Sequence, residues 1–312
     1  MPSKNNNQKK NSSQSNINHS ENDKLTTTTG EEQYFDNAFI DQVRQSLLSN
    51  DVNQFDPIDI ERLKAHDDWF IRRFLAWRPT TIDEAIKTMI QALLWRKEIN
   101  INQWKDTDFP SEFYQIAGCF HYLPDRENKN ILILRMRFNR KEPVGVASIE
   151  TMVRNFFIYV VEKIVSQHPN QGFALIFDCW KASLSNVDID MARFIINTLS
   201  NYYSGAISYV YIYELPWILN QIWRLVRSWL DEEAKSIVRF VTIDNIVQYI
   251  EASNLPDYMG GYCGKDYRFV PKGVPTLEEM STGNGDTKKL VIKSDKDLKR
   301  LTEHFQKLIK LQ

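Results

Sequence analysis

The sequence has few cysteines, no charge excess of either sign and no long hydrophobic run. Its three cysteines are far apart in 312 residues and include no CxxC pair, which argues against a disulfide framework or a zinc site. Lysine and arginine number 39 against 40 aspartate and glutamate, so overall charge gives no reason to expect a nucleic-acid partner. Neither a signal peptide nor a stretch of about 18 apolar residues is found. These absences predict a cytoplasmic protein, or one that binds membranes peripherally.

Motifs for catalysis and metal binding are also lacking. The chain contains no GxSxG, GxxxxGK[ST] or HExxH motif, no strand-linked GxGxxG motif, and five scattered histidines. The nearest signals are Asp178, at the end of an apolar run, and the "DID" of Asp188–Asp190. Both have an ordinary structural interpretation, because aspartate caps turns after strands and is stabilised in the first turn of a helix. We therefore expect no enzyme, no catalytic residue and no metal site.

Four segments differ in composition and periodicity. Residues 1–33 are rich in Asn, Ser, Thr, Gln and Lys and predict a disordered tail. Residues 34–104 show helical periodicity and predict an N-terminal subdomain of the three-helix type, interrupted near Pro57 and Pro79. Residues 105–262 mix strands and helices. Residues 263–312 predict a C-terminal tail with a basic amphipathic helix, which either docks on the domain or lies on a membrane surface.

Short β-branched and aromatic runs predict the sheet of the third segment. They are "ILILRMR" at Ile131–Arg137, "FALIFD" at Phe173–Asp178, "ISYVYIY" at Ile207–Tyr213 and "IVRFVT" at Ile237–Thr242. Helical stretches separate them, and an alternation of strands and helices favours right-handed crossovers. The predicted fold class is α/β, with a mainly parallel sheet, flanking helices and a helical N-terminal subdomain.

The stretch from Trp217 to Leu230 predicts a helix with an unusually wide apolar side. Placed at 100° per residue, eight of its apolar side chains fall within about 160°, against about 100° for a helix that faces only a core, while Trp217 lies on the polar side. The eight are Ile218, Leu219, Ile222, Trp223, Leu225, Val226, Trp229 and Leu230. Two interpretations stay open at this point. The helix is either an ordinary crossover helix on the sheet or a lid over an apolar ligand.

Several segments together resemble the CRAL-TRIO, or Sec14-like, lipid-binding family. They are "DDWFIRRFLAWRPTTIDEAIKTMIQALLWRKEI", "LIFDCWKASLSNVDIDMARFIINTLSNYY", "YIYELPWILNQIWRLVRSWLDEEAKSIVRFV" and "LPDYMGG", within about Phe55–Gly261. Within the family, "YELPW" and "VRSWL" are most similar to the CRAL-TRIO part of motile sperm domain-containing protein 2. The resemblance identifies residues 34–104 as the family's helical N-terminal subdomain and residues 105–262 as its lipid-binding domain.

The resemblance implies a sheet that forms the floor of an apolar pocket, closed by a mobile gate helix at the wide-faced stretch. The lipid-binding residues that we expect on this basis are Phe177, Tyr211, Tyr213, Ile218, Ile222, Leu225 and Trp229. Those that we expect to face the membrane are Trp217, Arg224 and Arg227. The expected ligand is a hydrophobic lipid or phospholipid, with no other cofactor, and the expected location is the cytoplasm, peripheral to endomembranes.

The expected function is non-catalytic binding, with transfer between membranes or sensing, of a lipid in the gated pocket. The alternative is a lipid-plugged module for protein interaction or signalling at a membrane surface. Phosphatidylinositol-transferring members of the family carry Tyr-Tyr-Pro-Glu-Arg and Ser-Lys-Ile segments. Here Tyr202–Ala206 reads "YYSGA" and Ile237 stands at the lysine position, so the resemblance does not extend to phosphatidylinositol as the ligand.

Overall fold

A computed structural model describes residues 36–49, 52–65, 68–77, 81–139, 147–168, 170–283 and 290–311. The predicted disordered tail, residues 1–33, lies outside the described residues. Within the described ranges, no helix combines the length and the apolar character that crossing a bilayer requires. The domain boundaries drawn from the sequence stay predictions.

Four helices form the N-terminal part of the described chain. They are α1 (Asn37–Ser49), α2 (Pro57–Lys64), α3 (Asp68–Ala76) and α4 (Ile82–Glu98). Apolar residues recur at helical spacing, so each helix turns one side inward, as Ile40 and Leu47 of α1 and Met89 of α4 do. Between Pro57 and Pro79 the sequence predicts one helix, whereas the structure has two. Helix α2 ends at Lys64 and α3 begins at Asp68.

The sheet has five strands in the order β1-β2-β3-β4-β5. Its strands are β1 (Cys119–Tyr122), β2 (Ile131–Arg135), β3 (Phe173–Asp178), β4 (Ile207–Tyr213) and β5 (Val238–Val241). The β1–β2 pair is antiparallel and the other three pairs are parallel. The predicted α/β class with a mainly parallel sheet is therefore confirmed, and β1 is an additional edge strand.

Helices connect the parallel strands. Helix α6 (Ala147–Gln167) joins β2 to β3, and α7 (Ile189–Tyr202) joins β3 to β4. The β4–β5 connection contains α8 (Asn220–Arg227) and α9 (Glu232–Ser236). Since neighbouring strands follow one another in the chain, right-handed crossovers place these helices on the same face of the sheet.

Alternation along the strands divides the sheet side chains between two apolar clusters. On the helix-covered face, Leu132 and Leu175 pack with the buried side chains of α6 and α7. On the other face, Ile133 and Ile176 pack with Ile246, Met259 and other residues that follow β5. The central strands β2 and β3 are consequently buried on both sides.

The C-terminal helix docks on the domain. Helix α11 (Asp295–Lys310) packs against two shorter helices. These are α5 (Ser111–Ile116) and α10 (Leu277–Thr282). Helix α11 buries Leu301, Phe305 and Leu308, and the rings of Phe305 and Phe113 stack with their centroids 5.6 Å apart. Of the two interpretations that the sequence leaves open for this helix, docking agrees with the structure.

One glycine lies where the helical part meets the sheet part. Gly205 has a φ of +69°, and a Cβ at this position would lie 2.0 Å from the carbonyl oxygen of Arg73. The Arg73 guanidinium donates a hydrogen bond of 2.9 Å to the carbonyl of Ser204. The close approach of the two backbones thus requires glycine here, because any side chain would push them apart.

Candidate functional site

A cavity of about 200 Å³ lies between the sheet and helices α7 and α8. Its floor consists of the helix-facing side chains of β3 and β4. Its principal apolar lining residues are Leu175, Phe177, Val210, Ile212, Ile195, Ile196, Leu199, Ile222, Trp223 and Val226. A space with such walls favours hydrocarbon over water, because water there would lack the polar partners it needs.

Helix α8 covers this cavity without becoming part of the core. It carries Ile222, Trp223, Leu225 and Val226, yet none of its side chains is fully buried. Nearby, Leu219 is buried in the 3-10 turn Trp217–Leu219 that precedes the helix. If α8 packed directly on the sheet, the side chains of its apolar face would be buried. They remain partly exposed because the cavity separates the helix from the sheet.

The wide apolar side of this segment is shared between two environments. Ile222, Trp223 and Val226 point into the cavity. On the outer side, Ile218 is 40% exposed and Leu225 is 43% exposed. The width of about 160° therefore has a structural reason, because the segment presents one apolar surface to the cavity and another to its outside.

The helix predicted over Trp217–Leu230 is shorter in the structure. The 3-10 turn leads into α8, which ends at Arg227, and a turn separates it from α9. Near the end of α8, the hydroxyl of Ser228 donates to the carbonyl of Leu225 at 2.7 Å. Asp231 then starts α9, because its carboxylate accepts a hydrogen bond of 2.8 Å from the backbone N–H of Ala234.

Of the predicted lipid-binding residues, Phe177 and Ile222 line the cavity. Ile218 and Leu225 are on the outer side of the segment, 40% and 43% exposed. Trp229 is not among the lining residues, and its ring faces the guanidinium of Arg193 at 5.0 Å. The structure brings together only part of the set expected from the sequence.

Tyr211 and Tyr213 lie on the opposite face of the sheet, which corrects the expectation that they form walls of the pocket. Each is 1% exposed and packs in the cluster that contains Ile176 and Met259. Their β4 neighbours Val210 and Ile212 face the cavity instead. Because side chains alternate along a strand, Tyr211 and Tyr213 cannot face the cavity when Val210 and Ile212 do.

The residues predicted to face a membrane are all exposed. Trp217 is the most exposed large apolar side chain among the described residues, and Arg224 and Arg227 are exposed on α8. Phe240, 53% exposed, contacts the ring of Trp223 with centroids 5.4 Å apart. The outer surface near the helix thus combines apolar side chains with arginine.

The two acidic positions considered for catalysis make structural hydrogen bonds. The Asp178 carboxylate accepts from the backbone N–H of Trp180 at 3.0 Å, and that of Asp188 accepts from the N–H of Met191 at 2.9 Å, at the start of α7. Burial raises the pKa of Asp178 to about 6, although nearby Arg135 opposes the shift. These contacts agree with the turn-capping and helix-capping interpretations.

Comparison with known proteins agrees with this fold. Residues 114–261 match the CRAL/TRIO domain family. A crystal structure of Sfh5 superimposes with a TM-score of 0.56, at 16% sequence identity, over 78% of this chain and 95% of that chain. At this identity, the likeness supports the fold alone.

Two curated relatives extend the similarity beyond the domain. CRAL-TRIO domain-containing protein C3H8.02 of Schizosaccharomyces pombe is 25% identical, over 62% of this chain and 45% of that protein. Phosphatidylinositol transfer protein CSR1 of Eremothecium gossypii is 24% identical, over 72% of this chain and 52% of that protein. The chain thus spans about half the length of these curated relatives.

Proposed function

We propose that this protein binds a hydrophobic lipid or phospholipid in the cavity beneath α8 and acts without covalent catalysis. The observation that carries the proposal is an apolar cavity covered by a helix that has no fully buried side chain. Further support comes from the CRAL-TRIO domain and from a relative named as a phosphatidylinositol transfer protein. The similarity of "YELPW" and "VRSWL" to motile sperm domain-containing protein 2 also remains part of the proposal.

Helix α8 acts in this proposal as a gate. A lipid with about 30 buried methylene groups loses about 0.8 kcal/mol of stabilisation for each group that enters water, so escape through water is slow. Opening against a bilayer removes that cost, because the hydrocarbon passes from one apolar environment to another. The membrane must favour the open state, since a surface shifts an equilibrium only by its differential affinity.

In this proposal, the membrane-facing surface consists of Trp217, Arg224 and Arg227, the residues that the sequence predicts for it. Tryptophan is suited to the bilayer interface, and arginine is attracted to anionic headgroups. The exposed outer side chains Ile218 and Leu225 add apolar area beside them. We place the protein in the cytoplasm, peripheral to endomembranes, as part of the same proposal.

Replacement of Trp217 by alanine is expected to weaken association with vesicles several-fold while lipid loading is retained. The side chain is 82% exposed and does not line the cavity, so its loss removes outer contact area only. Vesicle sedimentation and native mass spectrometry measure the two properties separately. Phe269→Ala is the control, because Phe269 is 68% exposed in a segment remote in sequence from the gate. Equal vesicle binding by Trp217→Ala and wild type would exclude Trp217 as an anchor.

Transfer of a labelled lipid between two vesicle populations tests the proposed activity. Labelled phosphatidylcholine and phosphatidylinositol are suitable probes, and we expect the protein to accelerate the transfer of at least one. Retention of lipid without any transfer would favour the alternative, a lipid-plugged module for protein interaction or signalling. Failure to take up any lipid from vesicles would contradict both functions.

A further inference from the structure

A second cavity, of about 180 Å³, lies on the same face of the sheet, beside the first. Helices α5, α6 and α7, strand β2 and the docked helix α11 all contribute to its walls. Its apolar lining residues include Phe113, Val153, Phe156, Met191, Phe305 and Leu308. Ile222, Trp223 and Val226 of α8 do not reach it, so this space is not directly beneath the gate.

The two cavities share a wall. Phe177, Met136, Ala192 and Ile195 line both of them. Phe177 is the one residue of β3 that is half-buried, and it packs against the clusters on both sides. The apolar residues common to both linings are thus a phenylalanine of β3, a flexible methionine, and an alanine and an isoleucine of α7.

The one charged residue common to both linings is Asp188, at the start of α7. Arg135 and Asn139 also line the second cavity, but most of the lining of each space is apolar and favours hydrocarbon over water. Unfilled apolar space is costly because the side chains around it lose their packing partners. A ligand with a single polar end and two hydrocarbon branches suits this geometry, because its branches can enter separate spaces from one side.

We infer that the two cavities are branches of one site for a lipid with two hydrocarbon chains. One chain lies beneath α8, and the other passes between α6 and α7 towards α11. Phe177 separates the chains, and Phe305 of α11 forms an end wall of the second branch. The inference rests on the proposed function and adds the class of ligand. It also gives the docked C-terminal helix a part in the selection of chain length.

Filling one branch at a time tests the inference. Val153 of α6 lines only the second cavity, whereas Ile196 of α7 lines only the first. Val153→Trp and the matched variant Ile196→Trp are incubated with vesicles that contain diacyl phosphatidylcholine or single-chain lysophosphatidylcholine. Native mass spectrometry then gives the occupancy of each lipid, and circular dichroism checks that the variants are folded.

For Val153→Trp, we expect diacyl binding to fall at least about tenfold relative to wild type, while lysolipid binding is retained. Loss of space for about two methylene groups is enough for a change of that size. Ile196→Trp should weaken binding of both lipids, because it fills the branch beneath the gate. An unchanged ratio of diacyl to lysolipid binding in folded Val153→Trp would overturn the inference.

A second variant serves if Val153→Trp does not fold. Phe305→Leu shortens the end wall and should shift the preference among diacyl phosphatidylcholines towards longer chains. An unchanged chain-length preference would contradict the role of α11. Wild-type protein that binds lysolipid but no diacyl lipid would refute the two-branch site and leave the proposed function standing, whereas wild-type protein that binds neither lipid would refute both.

Discussion

Ile222→Asp is expected to abolish lipid uptake while the protein stays folded. The Ile222 side chain lines the cavity from α8 and is only half-buried, so a carboxylate there disturbs little core packing. In a lipid-filled cavity, however, the same carboxylate would lose its water and gain no partner of opposite charge, at a cost of several kcal/mol. We expect uptake of labelled phosphatidylcholine from vesicles to fall at least about 100-fold.

Gln221→Asp is the matched control for this variant. Gln221 is the preceding residue of α8, is exposed and does not line the cavity. Both variants introduce the same charge on the same helix, so any general effect on helix stability or on attraction to vesicles is common to them. Wild-type uptake by Ile222→Asp would contradict the assignment of α8 as the cover of the lipid site.

Arg96→Met is expected to lower the free energy of unfolding by about 3 to 5 kcal/mol, because it leaves buried carboxylates without their main partner. The Arg96 side chain is 7% exposed and joins α4 to α2 and α6. It donates hydrogen bonds of 2.9 Å to Asp59 and to both carboxylate oxygens of Glu162. Denaturant titration of wild type and variant measures the difference.

The same network predicts a dependence on pH. Although burial alone would raise it, the charge and hydrogen bonds of Arg96 lower the pKa of Glu162 to about 2. Because the folded-state pKa is below the ordinary value of about 4.3, the stabilisation is present above that pH and is lost as pH falls towards 2. The difference in stability between wild type and Arg96→Met should narrow across this interval.

Arg62→Met is the control for Arg96→Met. The Arg62 side chain lies 3.3 Å from Asp59 and 3.7 Å from Glu162 but is 43% exposed. Solvent screens such a pair, so its removal should cost less than about 1 kcal/mol. If Arg96→Met and Arg62→Met lowered the free energy of unfolding equally, burial would not determine the strength of this network.

Much of the fold could be predicted from the sequence because its signals are local. Runs such as "FALIFD" and "ISYVYIY" are strands β3 and β4 with the predicted bounds. The four-residue strand β1 was missed, since "CFHY" is too short and too mixed to stand out and depends on pairing with β2. Likewise, the division between α2 and α3 has no proline or glycine in the sequence to mark it.

The site could be predicted less completely, because it depends on which face of an element turns inward. Strand β4 has large apolar or aromatic side chains on both faces, so alternation alone could not distinguish Tyr211 and Tyr213 from Val210 and Ile212. The apolar width of the gate segment was evident, but its division between the cavity and the outer surface depends on how α8 lies over the sheet. No local pattern indicates that α11 helps to enclose a second cavity.

Native mass spectrometry of the protein purified from its own cells tests the central claim most directly. We expect a species heavier than the polypeptide, whose added mass is recovered as lipid after organic extraction and is absent from Ile222→Asp. A preparation that carries only the polypeptide mass, and stays so after incubation with vesicles, would contradict a lipid site beneath α8.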